Sequence, residues 1–302
     1  MRALVISGGG SKGAFAGGVA QYLIENKKLH YDLFIGTSTG SLLVSHLALN
    51  KVEKIKSVYT GVNQESIFSN RPFVKKKKKN GIETIGINHF NVLLNLLKGS
   101  KTFGESHNLR RLIKKNFTQE EFIALKESSK DIVVTVSNLS TNRVEYKSIK
   151  DFDYEDFCDW IWISCNYTPF MTLVKKNGCE YADGGLGSMV PIEEAIKRGA
   201  TVVDAIILQT EVLHFSRMPS LNAFSLLTNM FAFMLDRIEH QNIKIGKFAA
   251  SNSNAIINFY YTPTILTTNS LIFDKEKMTE WWQSGFEFAK FKDQQSSQIE
   301  SP

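Results

Sequence analysis

Apolar positions are grouped along this chain in patterns that change from region to region. Ala3 to Ile6 is a short unbroken apolar run that stops at a cluster of glycines, and Ala14 to Ile24 follows with small residues at helical period. That pattern predicts a strand, a tight turn and a helix. Leu33 to Gly36 is predicted as a second strand and Ser41 to Leu49 as the helix after it. Two strands joined through a helix imply a parallel pair with a right-handed crossover, so the chain opens as α/β. From Lys51 to Lys130 the pattern is helical and charged, with an amphipathic stretch at Val92 to Leu97, and predicts an insertion or cap rather than sheet. Asp131 to Ser137 and Arg143 to Ile149 form a predicted strand pair, and Leu173 to Tyr181 a hairpin around the turn dipeptide Asn177-Gly178. Val202 to Leu208 is predicted as a buried strand, Asn222 to Lys247 as mostly helix, Ala255 to Tyr261 as a late strand and Lys275 to Lys290 as a closing helix. The tail from Gln294 to Pro302 is expected to be disordered. These elements predict a three-layer α/β/α fold with a mainly parallel central sheet.

Composition narrows the class only slightly. With 43% hydrophobic and 22% charged residues over 302 positions, the chain has the make-up of a globular protein with a sizeable core. Cys158, Cys165 and Cys179 are odd in number and lack CxxC spacing, which suggests neither a disulfide framework nor a zinc site and fits a reducing, cytoplasmic compartment. The first apolar run is too short for the core of a signal peptide. The longest one, Leu221 to Leu235, carries Asn222, Ser225, Thr228 and Asn229 and falls short of the roughly 20 apolar residues of a membrane span. The net charge of +6 includes a block at Arg71 and Lys75 to Lys79, beside Phe73 and Val74. Such a block is either a solvated, mobile loop or a contact for an anionic membrane surface. Without interleaved aromatic stacking platforms it does not predict nucleic-acid binding.

Two glycine motifs carry the chemistry. Gly8-Gly9-Gly10-Ser11-Lys12-Gly13 follows a strand and opens a helix. It satisfies the dinucleotide pattern G-x-G-x-x-G, but that use needs an acid at the carboxyl end of the second strand, and Asp32 precedes the strand instead. The alternative is an oxyanion site. Glycines let backbone N–H groups converge at a helix N-terminus, where partial positive charge favours an anion. Gly9 and Gly10 are the candidate donors, and Lys12 adds positive charge or faces solvent. The second motif, Gly36-Thr37-Ser38-Thr39-Gly40, is a G-x-S-x-G at a strand-to-helix junction, the context in which a sharp turn exposes a nucleophilic serine. None of the six histidines has a recognisable catalytic setting, although His214 or His240 would suit a late-histidine triad. The better base is Asp183 in Tyr181-Ala182-Asp183-Gly184-Gly185, although Asp-Gly is also an ordinary turn. An aspartate of ordinary pKa, about 3.9, is a weak base.

The glycine turn, the serine elbow and the later Asp-Gly-Gly occur in the order of the patatin-like phospholipase family, which this chain resembles over about residues 3–208. Ser164-Cys165-Asn166-Tyr167-Thr168-Pro169-Phe170 is similar to the family's segment ending in Pro-Phe or Pro-x-Phe. The resemblance implies a lipid acyl hydrolase of phospholipase A or lysophospholipase type, with a phospholipid or other acyl-ester lipid as substrate and the membrane surface as a peripheral partner. It implies a Ser38–Asp183 dyad, an oxyanion hole shaped by Gly8, Gly9, Gly10 and Gly13, an elbow relieved by Gly36 and Gly40, and chemistry without metal or cofactor. Residues 1–210 would be the catalytic domain, with the cap at about 51–130, and residues 211–302 a helical elaboration packed on it. Where the family often has Asn-x-Pro after Asp-Gly-Gly, this chain has Ser188-Met189-Val190-Pro191. The rival readings are an acyltransferase of related architecture and a non-catalytic binder of lipid or nucleotide.

Overall fold

A computed structural model describes residues 1–77, 83–97, 99–212, 220, 223–267 and 269–299; the side chains of residues 74–77, 83–87, 89, 96, 223–225 and 296–299 are not described. The strands are β1 (Arg2–Ile6), β2 (Leu33–Thr37), β3 (Phe73–Lys77), β4 (Glu83–Ile87), β5 (Asp131–Asn138), β6 (Arg143–Ser148), β7 (Val174–Lys176), β8 (Cys179–Asp183), β9 (Val202–Ile207) and β10 (Ile256–Tyr261). The helices are α1 (Gly13–Gln21), α2 (Thr39–Ala48), α3 (Val52–Gly61), α4 (Gln64–Ile67), α5 (His89–Leu97), α6 (His107–Asn116), α7 (Gln119–Glu127), α8 (Tyr154–Ser164), α9 (Ile192–Lys197), α10 (Ala223–Ser253) and α11 (Lys275–Ile299).

The main sheet runs in the order β10-β9-β1-β2-β5-β8-β7, with β6 on β5. Its β10, β9, β1, β2 and β5 strands are all parallel, which is why their sequences read as unbroken apolar runs: both faces are covered. On β1, Leu4 and Ile6 join the core beneath α1, α2, α8 and α11, whereas Ala3 and Val5 join a second core with Ile192 and Ala195 of α9 and Leu235 and Ile238 of α10. The fold is therefore three-layer α/β/α. The small residues of α1 admit α11 at close range. A Cβ on Gly17 would lie 2.1 Å from the Trp282 ring, and one on Gly18 1.9 Å from the Trp282 carbonyl oxygen. The buried Trp282 indole then donates to Gln21 Oε1 at 2.8 Å.

Two local expectations are corrected. The region from 51 to 130 is not helical throughout, because β3 and β4 form an antiparallel hairpin of their own. Lys75 to Lys77 lie in β3 and Lys78 and Lys79 fall outside the described residues, so the predicted lysine loop is in part a strand. Phe73 is buried on Phe68 and Phe170 rather than available at a surface. At the other end, Gln294 to Ile299 continue α11 instead of starting a disordered tail, and residues 300–302 fall outside the described residues.

The sheet also places two distant segments end to end. Strand β5 pairs along residues 131–135 with β2, along 133–138 with β6 and along 136–138 with β8. A strand has only two hydrogen-bonding edges. Since β6 overlaps both of the others, β2 and β8 must share the opposite edge, β2 ending at the pair Thr37–Thr135 and β8 at Asp183–Val136. The residue after Thr37 is Ser38.

Candidate active site

Strands β1, β2 and β9 finish level, with Ile6 paired to both Gly36 and Ile206. The segments that follow them therefore converge at one carboxyl edge, where parallel sheets form their clefts. A cavity of about 520 Å³ opens there, lined by Gly8, Gly9, Gly10, Lys12, Ser38 and Asp183 among others. Of the residues expected to carry the chemistry, Gly13 alone does not line this cavity.

Ser38 occupies the elbow between β2 and α2 with φ 53° and ψ −119°. For a non-glycine residue such backbone costs on the order of 1–3 kcal/mol and needs support from its surroundings. Support comes from Ser164 at the end of α8, whose Oγ accepts from the Ser38 N–H at 3.0 Å, and from the Cys165 thiol, which donates to the Ser38 carbonyl at 3.0 Å. Ser41 Oγ lies 2.8 Å from Ser164 Oγ and gives its own proton to Gly36 O at 2.8 Å, so Ser164 donates to Ser41. Close packing sets the flanking glycines. A Cβ on Gly36 would meet the Gly40 backbone at 2.4 Å, and one on Gly40 would meet Ile6 O at 2.3 Å.

Asp183 ends β8 and is buried. Its Oδ1 accepts from the Gly185 N–H at 2.8 Å, its backbone N–H donates to Asn166 O at 2.9 Å, and the Ser38 hydroxyl is near enough to hold its pKa down. Burial raises its pKa from 3.8 to about 7 against the opposing effect of the Ser38 and Gly185 donors. Gly184 is required by close approach, since a Cβ there would lie 2.2 Å from Thr135 O.

The glycine turn divides its work. Gly8 donates its N–H to Met189 O at 3.2 Å, and the N–H of Gly13 turns back to Gly10 O. Among the described residues the N–H groups of Gly9 and Gly10 have no acceptor. Tyr59 of α3 buttresses the turn: its hydroxyl donates to Gly10 O at 2.6 Å and pairs with Thr39 Oγ1. A Cβ on Gly13 would meet that hydroxyl at 2.4 Å. Lys12 does not face solvent. It is half-buried and lines the cavity with its ammonium on Leu208 O, and desolvation pulls its pKa down despite Glu239 and Asp236 nearby.

The sequence gives no sign of several supports. Ser164 and Tyr59 are two, and Asn242 of α10 is a third: its Oδ1 accepts from Met189 N at 2.7 Å and Val190 N at 3.3 Å, holding the segment that departs from Asn-x-Pro. In the same segment Ser188 O accepts from Thr37 Oγ1 at 3.0 Å and Ser188 Oγ pairs with Tyr146 OH at 3.1 Å. His240 is half-buried on α10 and does not line the cavity, while His214 lies outside the described residues.

No curated protein matches the chain in sequence. Among solved structures it is similar to VipD from Legionella pneumophila, at 15% identity and a TM-score of 0.49, over 96% of this chain and 66% of that one. The chain thus spans just under two thirds of that protein's length. Residues 4–196 match the family model for patatin-like phospholipase, which runs from β1 through the glycine turn, the Ser38 elbow and Asp183 to α9. That match covers well over half of the chain, which therefore belongs to the patatin-like phospholipase family, a family of lipid acyl hydrolases.

Proposed function

We propose that this protein hydrolyses carboxylic esters of fatty acids in membrane lipids, as a phospholipase A or lysophospholipase, through a Ser38–Asp183 dyad. The observation that carries this reading is the buried Asp183 carboxylate sharing one cavity with Ser38, where the N–H groups of Gly9 and Gly10 have no acceptor among the described residues. Ser38 Oγ attacks the acyl carbonyl carbon while Asp183 takes the hydroxyl proton. A base whose pKa lies near 7 is half-ionised at neutral pH, the condition under which it both accepts and returns a proton readily. The tetrahedral oxyanion is received by the Gly9 and Gly10 N–H groups. Asp183 then protonates the departing alcohol oxygen; a water molecule, deprotonated by the same carboxylate, attacks the acyl carbon, and Asp183 returns that proton to Ser38 Oγ as the fatty acid leaves. Every step in this scheme uses side chains and backbone of this chain.

In this reading residues 1–210 form the catalytic unit, residues 51–130 cap it, and residues 211–302 complete the cavity wall through α10. The lipid surface is the peripheral partner. Phe90, Leu93, Leu94 and Leu97 of α5 and Leu226, Met230, Phe233 and Met234 of α10 are exposed, an unusual density of large apolar side chains for free surface. No described helix is long and apolar enough to cross a membrane. A cytoplasmic enzyme that docks on the membrane face suits these features and the three free cysteines.

The test is Ser38→Ala. The variant should fold, fail to hydrolyse short p-nitrophenyl esters and mixed-micelle phospholipid, and lose labelling by a fluorophosphonate probe. Near-normal turnover in the folded variant would remove Ser38 from the mechanism. Release of acyl groups to an alcohol acceptor in preference to water would make the protein an acyltransferase instead.

A further inference from the structure

The wall of the cavity contributed by α10 is chemically unlike the rest. Asn229, Ala232, Leu235, Asp236 and Glu239, at positions i, i+3, i+6, i+7 and i+10, present one face of that helix to the space shared with Ser38 and Asp183. Asp236 holds the Gln209 side-chain amide at 2.6 Å. Glu239 is different: it is 7% exposed, lines the cavity, and makes no hydrogen bond or ion pair among the described residues. Lys12 lines the same cavity and its charge bears on Glu239, but its ammonium is engaged by Leu208 O and it acts on Glu239 only through space. A carboxylate taken from water without a partner is costly, and the usual remedy is a paired cation. Here the remedy is missing, and the group faces a space sized for a ligand.

We propose that Glu239, with Asp236 beside it, forms the headgroup subsite of this enzyme and selects lipids whose headgroup carries a primary ammonium. The inference rests on the reading of the cavity as a lipid esterase site and names the lipid class that fits it. Asp236 is already engaged, by the Gln209 amide among others, so an arriving ammonium would supply the counter-charge that Glu239 lacks. The ammonium also brings the N–H donors that Glu239 lacks. An anionic headgroup would add a second negative charge beside two carboxylates, and a polyol would supply hydrogen bonds without the charge. Consistent with an unpaired carboxylate, burial and the neighbouring Asp236 push Glu239 up to about 8 while Lys12 holds it down. An arriving ammonium would stabilise its charged form.

The experiment compares phosphatidylethanolamine, its N-acetylated form and phosphatidylglycerol, with identical acyl chains, in mixed micelles of a neutral detergent. Lyso-product and fatty acid are measured by mass spectrometry. The wild type should cleave phosphatidylethanolamine with a kcat/KM at least about tenfold above the other two, the scale of one charge-assisted hydrogen bond. In Glu239→Gln, which keeps the side-chain shape, the ratio should fall to near one. The N-acetyl comparison needs no variant and so decides the matter even if Glu239→Gln fails to fold. Equal or faster cleavage of phosphatidylglycerol by the wild type overturns the proposal, as does an N-acetylated lipid cleaved as well as its parent, which would mark a site for neutral donors. A ratio preserved in folded Glu239→Gln also overturns it. If no lipid is cleaved and Ser38 takes no fluorophosphonate, the esterase reading itself fails, and the headgroup subsite with it.

Discussion

Asp183→Asn separates the catalytic role of this side chain from its cost to the fold. The substitution keeps the size of the group and the acceptor for the Gly185 N–H, now 2.8 Å away, but removes the ionisable proton. In the folded protein burial raises Asp183 from 3.8 to about 7, so the folded state holds a proton that the unfolded chain has already lost. A group with a raised folded-state pKa stabilises fully below the unfolded value and loses that contribution as pH climbs through the folded value. One pKa unit corresponds to about 1.36 kcal/mol. Between pH 5 and pH 8 the wild type should therefore lose a few kcal/mol of stability, about 2 to 3, that Asp183→Asn does not lose.

The assay is urea unfolding of both proteins at unit steps of pH across that window, followed by tryptophan fluorescence, with the wild-type-minus-variant difference as the readout. Taking the difference cancels every other titrating group that the two proteins share. The same window governs activity with the opposite consequence. The wild-type kcat/KM on a soluble ester should rise about tenfold per pH unit towards pH 7 and level off above it, while Asp183→Asn stays inactive throughout. A stability difference that stays flat from pH 5 to pH 8 refutes the claim that burial sets the protonation of Asp183. A flat pH–rate profile over the same range refutes its role as the base.

Three further outcomes are expected. In Gly9→Ala the new Cβ would stand 2.6 Å from Leu208 Cδ1 and 2.8 Å from Leu208 Cβ, so the turn must shift; kcat should fall about a hundredfold or more, and turnover above a tenth of wild type would exclude Gly9 as an oxyanion donor. His240→Ala and His214→Ala should each keep at least half of the wild-type ester turnover, and collapse of either would replace the dyad with a triad. Exchange of Lys75 to Lys79 for glutamine should weaken sedimentation with anionic vesicles several-fold at low salt, an effect that raised salt should mimic in the wild type. Equal sedimentation of the two proteins would leave the lysine block without a membrane role.

What could be read in the sequence is what is local. The turn after β1 and the elbow after β2 announce themselves because their chemistry, their glycines and their strand-to-helix context lie within a few residues, and Asn177-Gly178 marks its hairpin because both residues adopt positive φ, 51° and 77°. The hairpin of β3 and β4 was hidden because lysines in a strand carry no apolar alternation. The supports of the site were hidden for another reason. Tyr59, Ser164 and Asn242 act across long separations on groups whose needs are invisible in one dimension: a carbonyl of a glycine turn, the N–H of a strained serine and the loop after Asp-Gly-Gly.

The meeting of Ser38 and Asp183 shows how far apart these two kinds of information lie. The residue types were evident, but their contact depends on β5, which is eight residues long and offers β2 only the first five positions of one edge. The remaining three positions of that edge are taken by an antiparallel strand arriving from the other side. A register slip of one residue between β5 and β8 would turn the Asp183 side chain to the opposite face of the sheet, because side chains alternate along a strand. What holds the register is steric as much as hydrogen-bonded. Immediately after Asp183 the backbone must pass Thr135 so closely that only glycine fits, and the Asp183 N–H is held by Asn166 O on the segment that follows the serine support at Ser164. The same short stretch of α8 and its exit thus sets the backbone of Ser38 through Ser164 and Cys165 and the backbone of Asp183 through Asn166, which explains why a segment that supplies neither side chain accompanies the proposed dyad.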